Sequence, residues 1–162
     1  MKHLRLWIAL GLIGLFAAVG SVALSHAQDG GDRGFGGGSY LTTIKDSAGN
    51  FASRGVMTLH ADRTMSIIDS GQGGPAFFFS SQLGSWKPDG NHRIVARTID
   101  FDFPPSPDDG ARLDYTLNFA PDRRQVAGTV TLMTFPLENG NPLDGGGTVI
   151  GTFTLVGELI EP

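Results

Sequence analysis

The stretch SSQLGSWKPDGNHRIVARTIDFDF, residues 80–103, decides the fold class of this 162-residue chain. Two runs of alternating apolar and polar residues flank Pro88-Asp89-Gly90-Asn91, a group of turn-forming residues. Alternation with a period of two is typical of a strand with one buried face, and a short Gly-containing link joins antiparallel neighbours. The stretch therefore predicts a β-hairpin with a tight turn near Gly90.

The same pattern of alternating runs and turn residues recurs over the rest of the chain after residue 38. No apolar stripe with helical spacing runs for three turns there, so strands are predicted throughout. Successive strands with short links favour antiparallel neighbours. The predicted strands are Tyr40–Lys45, Phe51–Ala61, Thr64–Ser70, Phe77–Lys87, His92–Phe103, Arg112–Phe119, Gln125–Phe135 and Thr148–Ile160.

These strands predict an all-β fold: a single eight-stranded antiparallel up-and-down β-barrel, with a two-sheet sandwich as the alternative. Closure into a barrel removes the exposed sheet edges. A Gly-x-aromatic repeat supports closure, because glycine lets a bent strand coil while the aromatic ring covers its backbone. The repeat occurs at Gly38-Ser39-Tyr40, Gly49-Asn50-Phe51, Gly84-Ser85-Trp86 and Gly151-Thr152-Phe153.

The first 27 residues have the three parts of a secretory signal peptide. Lys2 and Arg5 make a basic start, residues 6–19 are apolar, and Ser25-His26-Ala27 puts small residues at the −3 and −1 positions. The alternative is a transmembrane anchor, which needs about 20 apolar residues. We expect cleavage after Ala27 and export to the periplasm or medium. The expected organisation is a signal peptide (1–27), a Gly-rich linker (28–38) and a barrel domain (39–162).

Composition excludes several classes of partner. Cleavage would remove Lys2 and Arg5 but none of the sixteen acidic residues, so the net charge would change from −4 to −6. The remaining basic residues are scattered, which argues against nucleic acid as a partner. The chain has no Cys, so no disulfide staples the fold. His60 and His92 are too few for a structural zinc site, and we expect neither a metal nor a cofactor.

Alternation in strand five predicts which of its side chains face the barrel interior. The apolar row of Val95, Ile99, Phe101 and Phe103 is expected inside, and the row of Ala96, Thr98, Asp100 and Asp102 outside. The same reasoning turns Met65, Ile67 and Asp69 of strand three inward, and Leu113, Tyr115, Leu117 and Phe119 of strand six.

Arg97 falls in the inward row of strand five, where a charge needs a partner because an unpaired buried charge is costly. Asp69 is the best partner by phase, and Glu158 is second. One interpretation is an arginine that binds an anionic or carbonyl group, with Tyr115 adding a hydroxyl. The other is an internal ion pair that closes one end of the barrel, or an arginine that reaches solvent at the rim.

A Gly-x-aromatic motif that opens strand one (Gly38-Ser39-Tyr40), up-and-down hairpins and eight strands after a signal peptide resemble the calycin-like barrels, which include lipocalins and allene oxide cyclases. More narrowly, three segments are similar to a group of bacterial exported proteins: RGVMTLHADRTMSIIDS (54–70), SSQLGSWKPDG (80–90) and RTIDFDF (97–103). Lipocalins carry Gly-x-Trp on strand one, whereas here Trp86 lies on strand four. The resemblance implies a barrel with an interior site and assigns no catalytic residue.

The leading hypothesis is an exported, non-enzymatic barrel that holds a small apolar or amphipathic molecule. Such sites combine an apolar lining with few polar anchors. The expected ligand-binding residues are Arg97, Tyr115, Asp69, Trp86, Met65, Phe101 and Leu117.

Two other hypotheses stand beside this one. The first is a cyclase or isomerase in which Arg97 and Tyr115 polarise a substrate inside the barrel. The second is a filled barrel with a structural or interaction role. In that case Phe77-Phe78-Phe79, which cannot all point into one core, would meet a protein partner or a second copy of the chain.

Overall fold

The structure, a computed structural model, describes residues 37–72, 78–104 and 109–162. Eight antiparallel strands form a closed barrel in which each strand pairs with its neighbours in sequence and β1 pairs with β8. The strands are β1 (Gly38–Lys45), β2 (Phe51–Leu59), β3 (Thr64–Asp69), β4 (Gln82–Pro88), β5 (Arg93–Phe101), β6 (Asp109–Phe119), β7 (Gln125–Pro136) and β8 (Thr148–Leu159). The predicted all-β, eight-stranded barrel is therefore confirmed, and the sandwich alternative is wrong.

The hairpin predicted within residues 80–103 is present as β4 and β5. Its register runs from Leu83 opposite Ile99 to Pro88 opposite Ile94. Strand β4 begins at Gln82, because residues 78–81 belong to no strand and Phe79 makes an isolated bridge with Asp102. The predicted start of this strand, Phe77, lies outside the described residues. The predicted signal peptide (1–27) and all but the last two residues of the predicted linker (28–38) lie outside the described residues.

The two ends of the barrel carry different connections. At one end, called here the short-turn end, residues 60–63, 89–92 and 120–124 link the strands. At the opposite end, residues 46–50, 70–81, 102–108 and 137–147 link them. The last of these contains a short 3-10 helix, Pro142–Asp144. No helix among the described residues is long and apolar enough to cross a membrane.

Two turns at the short-turn end are built alike. Arg63 and Arg123 have positive φ angles of 69° and 59°. In each turn the preceding aspartate folds back: Asp62 Oδ1 accepts from the Thr64 amide (2.9 Å), and Asp122 Oδ1 accepts from the Arg124 amide (3.0 Å). Such aspartate turns fix the chain reversal locally, so the strands that follow enter the barrel in register.

Aromatic side chains close the interior at the short-turn end. The rings of Tyr40 and Phe119 meet edge to face at 5.5 Å. Tyr40 Oη donates to the Arg123 carbonyl (3.1 Å), and Trp86 Nε1 donates to the His60 carbonyl (3.1 Å). Each ring thus buries its apolar body and satisfies its polar atom on a turn. Buried neighbours complete this plug: Leu59, Ile94, Leu117 and Val126.

Glycines on the inward rows let the wall bend sharply. A Cβ on Gly84 would lie 1.8 Å from the Arg97 carbonyl oxygen, and one on Gly128 would lie 2.0 Å from that of Thr116. Neighbouring backbones occupy the space that a side chain would need, so only glycine fits. This explains the Gly84-Ser85-Trp86 motif: the glycine admits the close approach, and Trp86 fills the interior beside it.

Candidate functional site

Most of the residues predicted to face the interior do so. Met65, Asp69, Trp86, Tyr115 and Leu117 are all buried, with exposed fractions between 0 % and 7 %. The phases of β3 and β6 were predicted correctly because an apolar or aromatic row runs along each of them. Five of the seven predicted site residues therefore lie inside the barrel.

Arg97 and Phe101 are the two exceptions, and their predicted inward orientation is wrong. Arg97 lies on the outer wall, where its Nε is 2.6 Å from Asp114 Oδ1. Phe101 is 48 % exposed, and Phe103, from the same row, is 50 % exposed. The buried row of β5 is the other one: Ile94, Ala96, Thr98 and Asp100.

The error has a physical origin in the surroundings of β5. Its outward row adjoins other exposed apolar residues, since Ile99 pairs with Leu83, which is 65 % exposed. The inward row of β5 becomes polar with distance from the plug. The more apolar of the two rows therefore faces outward in this strand. The predicted outward orientation of Asp100 is wrong as well. Ile94 and Ala96, which begin the buried row, were the signal in the sequence for this phase.

Asp69 does not pair with Arg97, which lies on the other side of the wall. Its Oδ2 accepts from Ser53 Oγ (2.8 Å), and its Oδ1 accepts from the Gly71 amide (2.7 Å). Glu158, the second predicted partner, is exposed. Both hydrogen-bond partners of the Asp69 carboxylate are therefore uncharged groups. Asp69 lies at the end of the barrel opposite the plug.

A buried hydrogen-bond network lies deeper on the same side. Tyr115 Oη donates to Gln82 Oε1 (2.6 Å), and Thr98 Oγ1 donates to the same oxygen (3.0 Å). Burial raises the pKa of Tyr115, more than the Thr98 and Gln82 hydrogen bonds lower it. The hydroxyl therefore stays protonated and acts as a donor, and the three side chains form a rigid polar floor.

Asp100 stands above this floor, and its Oδ1 is one of two buried side-chain atoms that have no hydrogen-bond partner in the described part of the chain. Its side chain is buried, with 4 % of the residue exposed, and its Oδ1 has no hydrogen-bond partner among the described residues. Burial first, and then the negative charges of Asp102 and Asp69, raise its pKa to about 7, while the Ala111 amide acts in the opposite direction. The carboxyl group is thus poised between its neutral and charged forms near neutral pH.

Further carboxylates extend this region toward solvent. Asp102 and Asp109 are both partly buried, and burial together with the charge of Asp109 raises the pKa of Asp102. We call this region the acidic end: Asp69, Asp100, Asp102 and Asp109 with Gln82, Thr98 and Tyr115. Within the described ranges, no three His, Cys, Asp or Glu side chains are grouped to hold a metal ion.

The phenylalanines before β4 lie beside the acidic end. Phe78 is 40 % exposed, as expected for a run that cannot turn wholly into one core. Phe79 is partly buried, and its ring and the Asp69 carboxylate both flank Gly71. Phe77 lies outside the described residues.

Side chains fill the middle of the barrel. Met57, Met65, Val130 and Leu155 are each 0–1 % exposed. A space large enough for a water molecule would leave exposed surface on the side chains around it, so these residues pack directly on one another. The apolar core therefore leaves no room between them for an apolar ligand. Asp100 Oδ1 is closed off from solvent as well, so the acidic end is the candidate site because of its polar chemistry and not because of an open cavity.

Comparison of the chain with protein-family models, with curated proteins and with solved structures found no match. The site is accordingly defined by its geometry and chemistry alone.

Proposed function

We propose that this protein is a non-enzymatic binding protein that takes a small organic cation at the acidic end of its barrel. One observation carries the proposal: Asp100 buries a carboxylate oxygen, Oδ1, that has no hydrogen-bond partner among the described residues. An unpartnered buried polar group costs stability, and a buried charge costs more. A ligand that donates to Asp100 Oδ1 removes that cost when it binds, and the groups around this buried oxygen have to move aside to admit it.

The chemistry of the neighbours selects the charge of the ligand. The charges that act on Asp100 are those of Asp102 and Asp69, and both are negative. Carboxylate oxygens only accept hydrogen bonds when ionised. An ammonium group supplies both the donors and the positive charge that this surrounding lacks. Perturbed pKa values of this kind cluster at functional sites.

The proposed site differs from the one expected from the sequence. The expected apolar or amphipathic ligand would have lain against Met65 and Leu117, which are packed in the core. Of the expected polar anchors, Asp69 and Tyr115 belong to the acidic end, and Arg97 does not. The closed eight-stranded barrel has the architecture of calycins, and we propose membership of that fold group on architecture alone.

Binding of butylammonium, compared with butanol, tests the proposed function. We expect the full chain to bind the cation at pH 8, where Asp100 is ionised, and to ignore the alcohol. Asp100→Asn should lower the affinity about tenfold or more, the cost of losing a charge-assisted hydrogen bond. The matched control is Asp89→Asn, an exposed carboxylate at the short-turn end, which should bind as the wild type does. Calorimetry measures both variants.

Two outcomes would overturn the proposal. Equal affinities of the Asp100→Asn and Asp89→Asn variants would show non-specific attraction of a cation to an acidic protein. Equal affinities for butylammonium and butanol would show that charge does not select the ligand.

A second candidate function is acid–base catalysis, as in the predicted cyclase or isomerase. It is favoured by a carboxyl group with a pKa of about 7 next to a protonated Tyr115 hydroxyl, since catalytic acids and bases work best near the operating pH. The predicted pair of Arg97 and Tyr115 is not brought together, because the two side chains lie on opposite faces of β5–β6. Turnover of any substrate that survives Asp100→Asn unchanged would remove this candidate.

We also propose that the protein works outside the cytoplasm, after loss of residues 1–27. The support is the signal pattern that ends at Ser25-His26-Ala27. The intact mass of the protein recovered from a periplasmic extract or medium measures this. A chain that begins at Gln28 is the expected result, and an uncleaved chain that stays with the cells would contradict it.

A further inference from the structure

A groove of about 660 Å³ runs over the outer wall of β4–β7, away from the acidic end. Its floor consists of two cross-strand rows of outward side chains. One row is Ser85, Arg97, Asp114 and Thr131, and the other is Lys87, Val95, Thr116 and Thr129. Leu143, 62 % exposed, forms a side wall. We call this feature the outer groove.

Cations outnumber anions in the outer groove. Asp114 is the one carboxylate in its lining, and two arginines already hold it: Arg97 at 2.6 Å and Arg112 at 3.2 Å. Lys87 adds a further positive charge from the adjacent row. The local excess is therefore positive, although the chain as a whole carries a net charge of −4.

Arg112 fixes the shape of the groove. Its side chain is buried beneath the β7–β8 connection, where Nη1 donates to the Pro142 carbonyl and Nη2 contacts Met133 Sδ at 2.9 Å. These contacts anchor the connection to the wall and hold Leu143 at the groove edge. Arg112 also helps to neutralise Asp114. The exposed guanidinium of Arg97 therefore keeps N–H groups that Asp114 does not use.

We propose that the outer groove binds the carboxylate of a small organic acid with a short apolar part. Arg97 and Lys87 lie diagonally across paired strands, about 7–8 Å apart at their backbones, a span that two long side chains bridge. They receive the carboxylate, for which the arginine fork has matching geometry. Thr116 lies in the same row as Lys87 and adds a hydroxyl group. Val95 and Leu143 provide apolar surface for the rest of the ligand.

Hexanoate is the probe for this site, with hexanol as its uncharged counterpart. We expect hexanoate to bind the full chain and to shift the NMR amide signals of β4–β7. Arg97→Gln should weaken binding about tenfold or more, the effect of losing a charge-assisted pair. Arg97 is 44 % exposed, so the variant keeps the fold, and Asp114 keeps Arg112. The matched control is Arg54→Gln, an exposed arginine on β2.

The controls separate this site from the acidic end and from general attraction. Arg97→Gln should leave butylammonium binding unchanged, and Asp100→Asn should leave hexanoate binding unchanged. Equal losses in Arg97→Gln and Arg54→Gln, equal binding of hexanol, or shifts confined to other strands would each overturn the proposal.

Discussion

The two ends of this barrel solve the problem of closure in opposite ways. At the short-turn end, Tyr40 and Trp86 bury their rings and donate their polar hydrogens to turn carbonyls, so both polar atoms have partners. At the acidic end, Asp100 is as deeply buried as either ring, but its Oδ1 has no hydrogen-bond partner among the described residues. The first arrangement favours stability, and the second lowers stability whenever the carboxyl group is charged.

The contrast predicts that substitutions at the two ends of the barrel have different effects. A substitution in the plug should change stability and spare binding. A substitution at the acidic end should change binding and the pH dependence of stability, with a smaller loss or even a gain in stability.

Leu117→Ala should cause the largest loss of stability. Leu117 is fully buried in the plug, and truncation of such a residue costs about 2–5 kcal/mol through lost transfer energy and a cavity. Leu83→Ala is the control, because Leu83 is 65 % exposed and surface changes stay within about 0.5 kcal/mol. Urea denaturation measures both, and equal losses would contradict the packed plug.

Asp100→Asn should raise stability at pH 8 and leave it nearly unchanged at pH 4. The folded-state pKa of about 7 lies above the ordinary value of 3.8, so the native state holds a proton that the unfolded chain has lost. The stability contribution of this group is therefore fully present below pH 3.8 and is lost as the pH rises through about 7.

The expected gain in the free energy of unfolding at pH 8 is on the order of 1–4 kcal/mol, since a pKa shift of one unit corresponds to about 1.4 kcal/mol. Urea denaturation of wild type and variant at both pH values isolates the contribution of Asp100. A difference between the two proteins that does not vary with pH would contradict the account.

Tyr115→Phe should cost about 1–2 kcal/mol, because Gln82 Oε1 then keeps only the Thr98 donor in a buried site. Tyr40→Phe makes the matching change in the plug, where the partner is the Arg123 carbonyl in a partly buried setting. We expect a smaller loss there, about 1 kcal/mol or less. Thermal denaturation of the two variants ranks them, and the reverse order would count against the buried polar floor.

The smallest effect is expected at the turn between β1 and β2. Gly49 has a φ of 84°, and no atom lies within 4 Å of the Cβ that it lacks. An L-residue in this region costs about 1 kcal/mol. Gly49→Ala should therefore lower the free energy of unfolding by about 1 kcal/mol in urea denaturation, and a gain in stability would contradict this.

The strands, their antiparallel order and the closed barrel were predictable, because turn residues and alternation are local signals. The inward rows of β3 and β6 were predictable too, since Met65 and Leu117 belong to apolar rows. The row of β5 was not, because its outer face is apolar at Ile99 and its inner face ends in a carboxylate. Asp100 was missed for the same reason: a rule that places apolar residues inside fails where the interior is polar.

Titration of the Asp100 carboxyl carbon by NMR measures whether this group is held partly neutral and whether a cation binds it. We expect a midpoint at about pH 7 in the free protein and a lower midpoint in saturating butylammonium, because a bound cation favours the charged form. A midpoint near the ordinary value of 3.8 that does not respond to the cation would contradict this expectation.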